Sequence, residues 1–448
     1  NKNGDPLMAT GKSYMAVTKG APGERPSKTA TPQPTGTNLD KVTVDGIEFA
    51  SWGSSNDWPK KALDTIAKVG VLNSGLKFTR NFMLGQGIFP CKVTGYDVKG
   101  NEILAPADDT NLAIFANSRL VRKYTEKTLR DYIKLGVGVV QFLMNTDGSQ
   151  IVGINAVNTK YCRLSVANSS GVIEKCCISG KWPETPGKDE YQMVDVLDDY
   201  DPFADLQRRR WAGQTAGKSF VMVVRDSWSN NEYYSEPLWY AAYLAGWVDI
   251  AGMIPAFLKK AYTNQITWKW HIQIPYAFWD KQFPKTDYAD QTKRQQDIQS
   301  FMDEIENNLC GTDNADKPIF TMFDINPLNG KVEEQWIIKP LDNKLNSEQN
   351  LVTSAAANSE IMFAIMINPN VMGAGMPGGT YAGNQGGSNI REAFLVNIAN
   401  AWVDRQTIID PIEIYHRFNG GDPSVEWRFR NTILTTLDTG SGTSKTLS

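Results

Sequence analysis

The side chains best suited to chemistry in this 448-residue sequence are few and scattered. His271 and His416 are its two histidines, and no partner motif surrounds either, so both read as ordinary polar side chains rather than catalytic bases or metal ligands. Acidic residues cluster at Asp198-Asp199-Tyr200-Asp201 and at Asp303-Glu304-Glu306, where a paired-acid hydrolase would need environments that push two pKa values apart. Solvated acidic faces are the commoner use of such clusters. Two Gly-Lys-Ser triplets, at Gly11 and Gly217, lack the upstream glycine of a phosphate-cradling loop, which would fall at Pro6 and Ala212. Gly373-Ala374-Gly375-Met376-Pro377-Gly378 has dinucleotide-loop spacing, but Asn368-Pro369-Asn370 breaks the strand that would have to enter it. Five cysteines (Cys91, Cys162, Cys176, Cys177, Cys310) form an odd set without CxxC spacing. With no signal-peptide pattern at the start, neither a disulfide framework nor a zinc site is expected, and synthesis in a reducing cytosol fits. No catalytic residue, metal or cofactor is predicted.

Composition excludes other classes. Thirteen Trp, 16 Tyr and 18 Phe supply the large apolar groups that disordered chains lack, and a net charge of -3 argues against coating nucleic acid through bulk charge. The length suits about two or three structural units. Arg208-Arg209-Arg210 is the dense basic cluster of the chain, read either as a solvated loop or as a contact with an acidic neighbour or nucleic acid.

Residues 1–40, rich in Pro, Gly, Ser, Thr and Lys, read as a flexible arm. Asp57 and Pro59 open a helix carrying Leu63 and Ile66, and a second apolar series ends at Gly85-Gln86-Gly87. An amphipathic helical segment over 111–144 turns strand-like after Gly136 and Gly138. Strands are predicted at 151–157, 162–166, 191–197 and 220–225, forming a small antiparallel sheet on the preceding helices. The 21-residue apolar run 238–258 is read as a buried helix, because Asp249 at its centre would cost about 2.5–3.5 kcal/mol in a bilayer. An α/β insertion follows, with strands at 266–275, 318–323 and 332–338 and a helix at 291–308. Long helices are predicted at 343–367 and 389–418. The second has Asn389 as N-cap, a stripe of Ile390, Phe394, Ile398, Ala401, Trp402, Ile409 and Ile412, and a kink or end at Pro411. The tail after Asp438 is linker-like. The fold class is α+β.

From Ile361 to Ile390, 30 consecutive residues carry no charge, where this composition would place roughly six charged side chains. Its second half is polar and Gly-rich, unlike an ordinary surface loop. A loop that must touch a polyanion without gripping it would have this composition, since each Lys or Arg on a phosphate adds a salt-dependent attraction. A Gly-rich hinge is the bland alternative.

The order of these parts resembles the portal proteins of tailed bacteriophages, most closely those of Bacteroidetes phages including the crAss-like group. The matching residues are Ser55-Asn56-Asp57-Trp58-Pro59, Gly85-Gln86-Gly87-Ile88-Phe89, Ser235-Glu236-Pro237-Leu238 and Gly387-Ser388-Asn389-Ile390-Arg391-Glu392-Ala393, within about residues 50–420. The resemblance implies a portal architecture: a helical and antiparallel-sheet wing at 41–236, stem helices at 237–261 and 342–367, and an α/β clip at 262–341. A tunnel loop at 368–388 and a long helix at 389–418 returning to the wing complete it; the chain after Phe418 is short for the family's large helical crown, which is either absent or lies outside this sequence.

It further implies a non-enzymatic homo-dodecameric ring at one capsid vertex of the virion, without membrane association. Double-stranded DNA would pass through without sequence specificity, and the partners would be the major capsid protein, the terminase large subunit and head-completion or tail connector proteins. Asn368, Asn370, Met372, Met376, Pro377, Thr380, Tyr381, Asn384, Gln385 and Ser388 would line the channel. Trp268, Trp270, His271, Phe278 and Trp279 would pack the clip against neighbours, and the N-terminal arm would contact the capsid. Two alternatives stay open from the residues: an α/β enzyme whose segment 373–387 is a ligand lid, and a capsid or tail protein without a channel.

Overall fold

The computed structural model describes residues 40–98, 100, 102–263, 270–310, 324–325, 328, 332–333, 337–340, 347–368, 371 and 387–431. The chain divides into two compact units, Asn1–Ile254 with Asn350–Ser448, and Pro255–Gln349.

In the first unit, a hairpin of β1 (Lys41–Val44) and β2 (Ile47–Ala50) leads to α1 (Trp58–Lys68) and α2 (Gly70–Leu84). A second hairpin, β3 (Ile88–Tyr96) and β4 (Glu102–Pro106), is followed by α3 (Thr110–Ala116), α4 (Arg119–Leu135) and β5 (Val137–Met144). Gly136 ends α4 at φ 78°, where an added Cβ would lie 2.0 Å from the Ser235 carbonyl oxygen, so the helix-to-strand switch requires glycine here. Next come β6 (Ile151–Val157), β7 (Cys162–Leu164), β8 (Lys175–Ile178), β9 (Gln192–Val196), α5 (Pro202–Trp211) and β10 (Ser219–Arg225).

The resulting six-stranded sheet has the order β6-β5-β10-β9-β8-β7. It is mixed rather than antiparallel: β9 and β10 run parallel, because α5 supplies the crossover that parallel neighbours require. Both faces are buried. Along β5, Val137 and Val139 enter one core with α1 and α2, while Val140, Phe142 and Met144 enter a second on the opposite face.

The expected helix over 238–258 is broken. α6 (Tyr240–Leu244) and α7 (Trp247–Thr263) are separated at Ala245-Gly246, with Gly246 at φ 84°. Among the described residues, no helix is long and apolar enough to cross a membrane.

The second unit contains β11 (Trp270–Gln273), α8 (Tyr276–Gln282), α9 (Gln291–Cys310), β12 (Asp324–Ile325), β13 (Val332–Glu333) and β14 (Ile337–Pro340). β11 pairs antiparallel with β14, and β12 with β13. The expected strand at 318–323 lies outside the described residues.

α10 (Ser347–Ala364) returns the chain to the first unit, which ends with α11 (Gly387–Asn400), α12 (Trp402–Phe418) and β15 (Glu426–Phe429). The predicted single helix over 389–418 is thus two helices meeting at the buried Ala401. α11 starts at Gly387, which places Asn389 inside its first turn rather than at the N-cap. Pro411 sits buried within α12 without ending it. Trp402, expected on the apolar stripe, is 59% exposed, because the break at Ala401 turns it away from Ile408, Ile409 and Ile412. β15 pairs with β3, placing Trp427 in the second core.

Candidate functional site: the uncharged segment and its anchors

Of the residues expected on the tunnel loop, Asn370, Met372, Met376, Pro377, Thr380, Tyr381, Asn384 and Gln385 lie outside the described residues. Asn368 is exposed just past α10, and Ser388 is in the first turn of α11. What the structure does describe is how the two flanks are held.

The leading flank ends in a Schellman motif. The Ile367 N–H donates to the Met362 carbonyl (3.1 Å) and the Met366 N–H to that of Phe363 (3.0 Å). Met366 occupies the left-handed position at φ 55°, where glycine is usual. Ile361, Met362, Ile365 and Ile367 are buried, so the chain is pinned up to one residue before Asn368. The contact that seats this end is with α2: a Cβ built on Gly75 would lie 2.5 Å from Ile365 Cδ1 and 3.5 Å from Met362 Sδ.

The trailing flank is seated on the same helix. The Phe394 ring on α11 meets Phe82 edge-on at 5.3 Å. One turn into α12, the buried Arg405 donates from Nε to the Met83 carbonyl (3.0 Å), from Nη2 to that of Phe82 (3.1 Å), and from Nη1 to Asn431 Oδ1 (2.5 Å). These are among the last carbonyls of α2, which lack helical partners and carry the negative end of the helix dipole. Phe429 flanks the guanidinium at 5.4 Å. Burial pulls the Arg405 pKa down to about 10, which leaves it charged at neutral pH. Beside it, Tyr132 donates to Asp404 Oδ1 at 2.7 Å, and Tyr124 to the Ile408 carbonyl at 2.8 Å. Burial raises the Asp404 pKa, and the nearby Asp226 charge adds to the rise.

The matched segments near the N-terminus form one cluster. Asn56, at φ 54°, accepts from Arg163 Nε (2.5 Å) and from the Trp52 N–H (3.0 Å) through its side chain, and from Arg163 Nη2 (2.7 Å) through its carbonyl. Arg163 is fully buried between Trp52 (5.7 Å) and Trp182 (5.1 Å). Trp52 stacks on Trp58, and Trp58 reaches Trp239, which links the segment 55–59 to the segment 235–238. Asp57 provides no side-chain cap for α1; its carboxylate pairs with Lys61 at 3.0 Å instead.

Of the clip residues, Trp268 lies outside the described residues, and Trp270 and His271 are in β11. On α8, Phe278 meets Trp279 and Trp279 stacks on Phe283, and all three rings pack on Phe301 of α9, with ring centroids 5.4–6.1 Å apart. Phe278 and Trp279 are half-buried within their own unit.

The remaining candidates have structural partners. Asp198 accepts backbone N–H groups and Asp201 caps α5. The triple arginine ends α5: Arg208 pairs with Asp205, Arg209 with Asp195 and Asp205, and Arg210 lies over Phe418. His416 is buried, with Nε2 3.1 Å from the Asp422 carbonyl. Cys91, Cys162, Cys176 and Cys177 are buried free thiols, and desolvation pushes Cys91 up to about 11 and Cys177 to about 12. Among the described residues, no group of His, Cys, Asp and Glu could hold a metal ion. Sequence reasoning passed over Arg405, Arg163 and Gly75. The available signal was a charged residue in phase with a buried helical stripe (Arg405, four after Ala401) and another inside an apolar strand (Arg163).

No protein-family model matches this sequence, and no curated protein matches it. Solved structures do match. A chain in the virion of a native gene transfer agent particle superposes with a TM-score of 0.51 at 14% identity, covering 84% of each chain. A chain from the neck of an empty gene transfer agent particle, computed with C6 symmetry, gives 0.53 at 14%, covering 85% of this chain and 86% of that one. One from the neck of the native particle, computed with C12 symmetry, gives 0.50 at 14%, covering 83% and 84%. At that identity the likeness is one of fold. The chain has a mixed α+β fold shared with these particle chains over most of its length, and that fold fits a portal-type architecture.

Proposed function

We propose that the chain is a structural subunit of a phage-like virion's head–tail junction, and within it the portal. In this reading about twelve copies close a ring at one capsid vertex by a heterologous contact that completes a rotation. Double-stranded DNA passes through during packaging and ejection, and the ring docks the terminase motor and later the tail. Kinship with Bacteroidetes-phage portals belongs to the same reading. The role is steric and electrostatic, without catalysis.

The observation that carries it is the shared fold, which extends over at least 83% of both chains and includes neck chains from particles computed with C6 and C12 symmetry. The local geometry agrees. A 30-residue stretch without charge is held at both flanks by one helix, α2, so each copy would present it in the same place. Ring assembly also accounts for apolar helical faces left exposed in the first unit: Val352 and Phe363 on α10, Leu395 and Val396 on α11, Trp402 and Val403 on α12.

The test is the mass of the purified assembly by native mass spectrometry, with class averages of particles seen end on. A ring of about twelve copies with a central hole is expected. A monomer or dimer that stays so across concentration overturns the reading.

A further inference from the structure

The six-stranded sheet ends in a feature that the proposed role does not use. Where the parallel strands β9 and β10 finish, the chain makes the same turn twice. Asp198 Oδ1 accepts the Tyr200 N–H at 3.0 Å, and Asp226 Oδ1 accepts the Trp228 N–H at 3.0 Å. The Asp199–Arg225 ion pair, at 2.5 Å, ties the two turns side by side. Each turn carries an aromatic ring at its tip, Tyr200 95% and Trp228 84% exposed. Large rings this bare are costly in water, and rings presented on fixed turns are common anchors of interfaces. The two turns carry Asp198, Asp199, Asp201, Asp226 and Glu232, with Arg225 paired to Asp199 and with Lys175 and Arg209 lining the same pocket as Asp198.

The complementary segment belongs to the chain itself. Residues 1–39 contain four lysines and one arginine against one Asp and one Glu. They join the described chain at Asp40, whose carbonyl accepts the Ser51 N–H at 2.9 Å. Next to Ser51, the Ala50 carbonyl accepts the Tyr234 hydroxyl at 3.0 Å, and Tyr234 belongs to the loop that carries Trp228. Ser235 closes that loop by donating to the Asp226 carbonyl at 2.8 Å. The basic segment therefore joins the chain at the hairpin that the loop carrying Trp228 contacts through Tyr234. From Asp40, the 15 residues back to Arg25 span up to about 50 Å when extended, and the 12 back to Lys28 up to about 40 Å.

We infer that the twin turns at Tyr200 and Trp228 are the docking surface for the basic N-terminal segment of the same chain, with Lys or Arg side chains over the two rings. Cation–π contact and the acidic surroundings act together, and the proximity of Asp40 makes the event intramolecular. The inference is independent of the portal reading, since it needs one chain only.

The experiment uses the full chain. Trypsin cleavage after Lys19 and Lys28 is timed in the wild type and in the Tyr200→Ser/Trp228→Ser variant, whose replaced side chains are too exposed to affect folding. Cleavage about tenfold slower in the wild type is expected, from two cation–π contacts of roughly 0.7 kcal/mol each. That protection should vanish in about 1 M salt, where screening acts within about 3 Å. Equal rates in both proteins overturn the inference. Independently, a benzophenone amino acid replacing Trp228 should cross-link to residues 1–39 without changing the monomer mass on a denaturing gel. A product of dimer mass would assign the surface to a second copy, and no product in 1–39 would leave the segment elsewhere; either result overturns the intramolecular docking.

Discussion

Arg405 donates its Nε hydrogen to the Met83 carbonyl at 3.0 Å across 322 residues of sequence. One guanidinium thereby closes the C-terminus of α2 and fixes the start of α12, joining the helix that carries the site to the chain leaving it. Removing it in Arg405→Met would strand the Phe82 and Met83 carbonyls and Asn431, at about 1–3 kcal/mol for a buried group left unpaired. We expect a loss of about 2–4 kcal/mol in denaturant unfolding, at the upper part of the range for single substitutions. Arg405→Lys keeps the charge but not the planar fork, and should recover only part of it. Equal stability of Arg405→Met and wild type would show that the α2 carbonyls do not depend on this contact.

The other flank gives a sharper test, because one atom is responsible. Gly75→Ala sets a Cβ 2.5 Å from Ile365 Cδ1, and overpacking of this kind costs about 1–3 kcal/mol. Ile365→Val deletes that Cδ1 at about 0.5–1.5 kcal/mol. The double variant should be more stable than the sum of the two losses allows, a coupling that a double-mutant cycle measures directly. Additive losses would mean that α2 and α10 adjust their spacing without cost.

Much of this architecture was readable along the chain, and what was not shares a cause. Strand β6 at Ile151–Val157 and the switch from α4 to β5 after Gly136 are local signals, set by side-chain period and a left-handed glycine. The parallel pairing of β9 and β10 was missed because Asp198–Asp201 read as a solvated acidic face and Arg208–Arg210 as a solvated loop or a contact, with no helix between them. They are instead the two ends of α5, an Asp cap and a basic last turn, and that helix makes the parallel crossover. β15 is four residues long, and its partner β3 lies more than 300 residues earlier, so no local pattern announces it. The composition of the uncharged segment was legible at once. Its anchors were not, because Gly75 and Arg405 act through contacts between distant parts of the chain, and periodicity records only neighbours.

Asp404 makes stability depend on pH in a definite direction. Burial, with the Asp226 charge adding, raises its folded pKa above the unfolded value of about 3.9. Between the two values the folded state binds more protons than the unfolded state, so stability falls as pH rises through the folded pKa. Asp404→Asn keeps an acceptor for the Tyr132 hydroxyl and removes the titration. It should flatten the fall above about pH 4 and raise the denaturant midpoint at neutral pH. A variant with an unchanged pH profile would place the titration elsewhere.

The absence of charge between Ile361 and Ile390 can be reversed one residue at a time. If this stretch lines a DNA channel, a lysine at Asn384 or Gln385 would be repeated in every copy, giving about twelve cations on one ring. Each phosphate contact steepens the salt dependence of DNA binding by about one unit of log affinity per log salt. Asn384→Lys should therefore slow packaging at low salt and release it as salt rises, whereas Asn384→Gln, equally bulky but neutral, should package normally. The comparison is read from packaged DNA length over time across a salt series, in particles whose portal incorporation has been shown to be normal. Identical kinetics for the two variants at every salt concentration would remove this segment from the DNA path while leaving the ring itself to be judged by its mass.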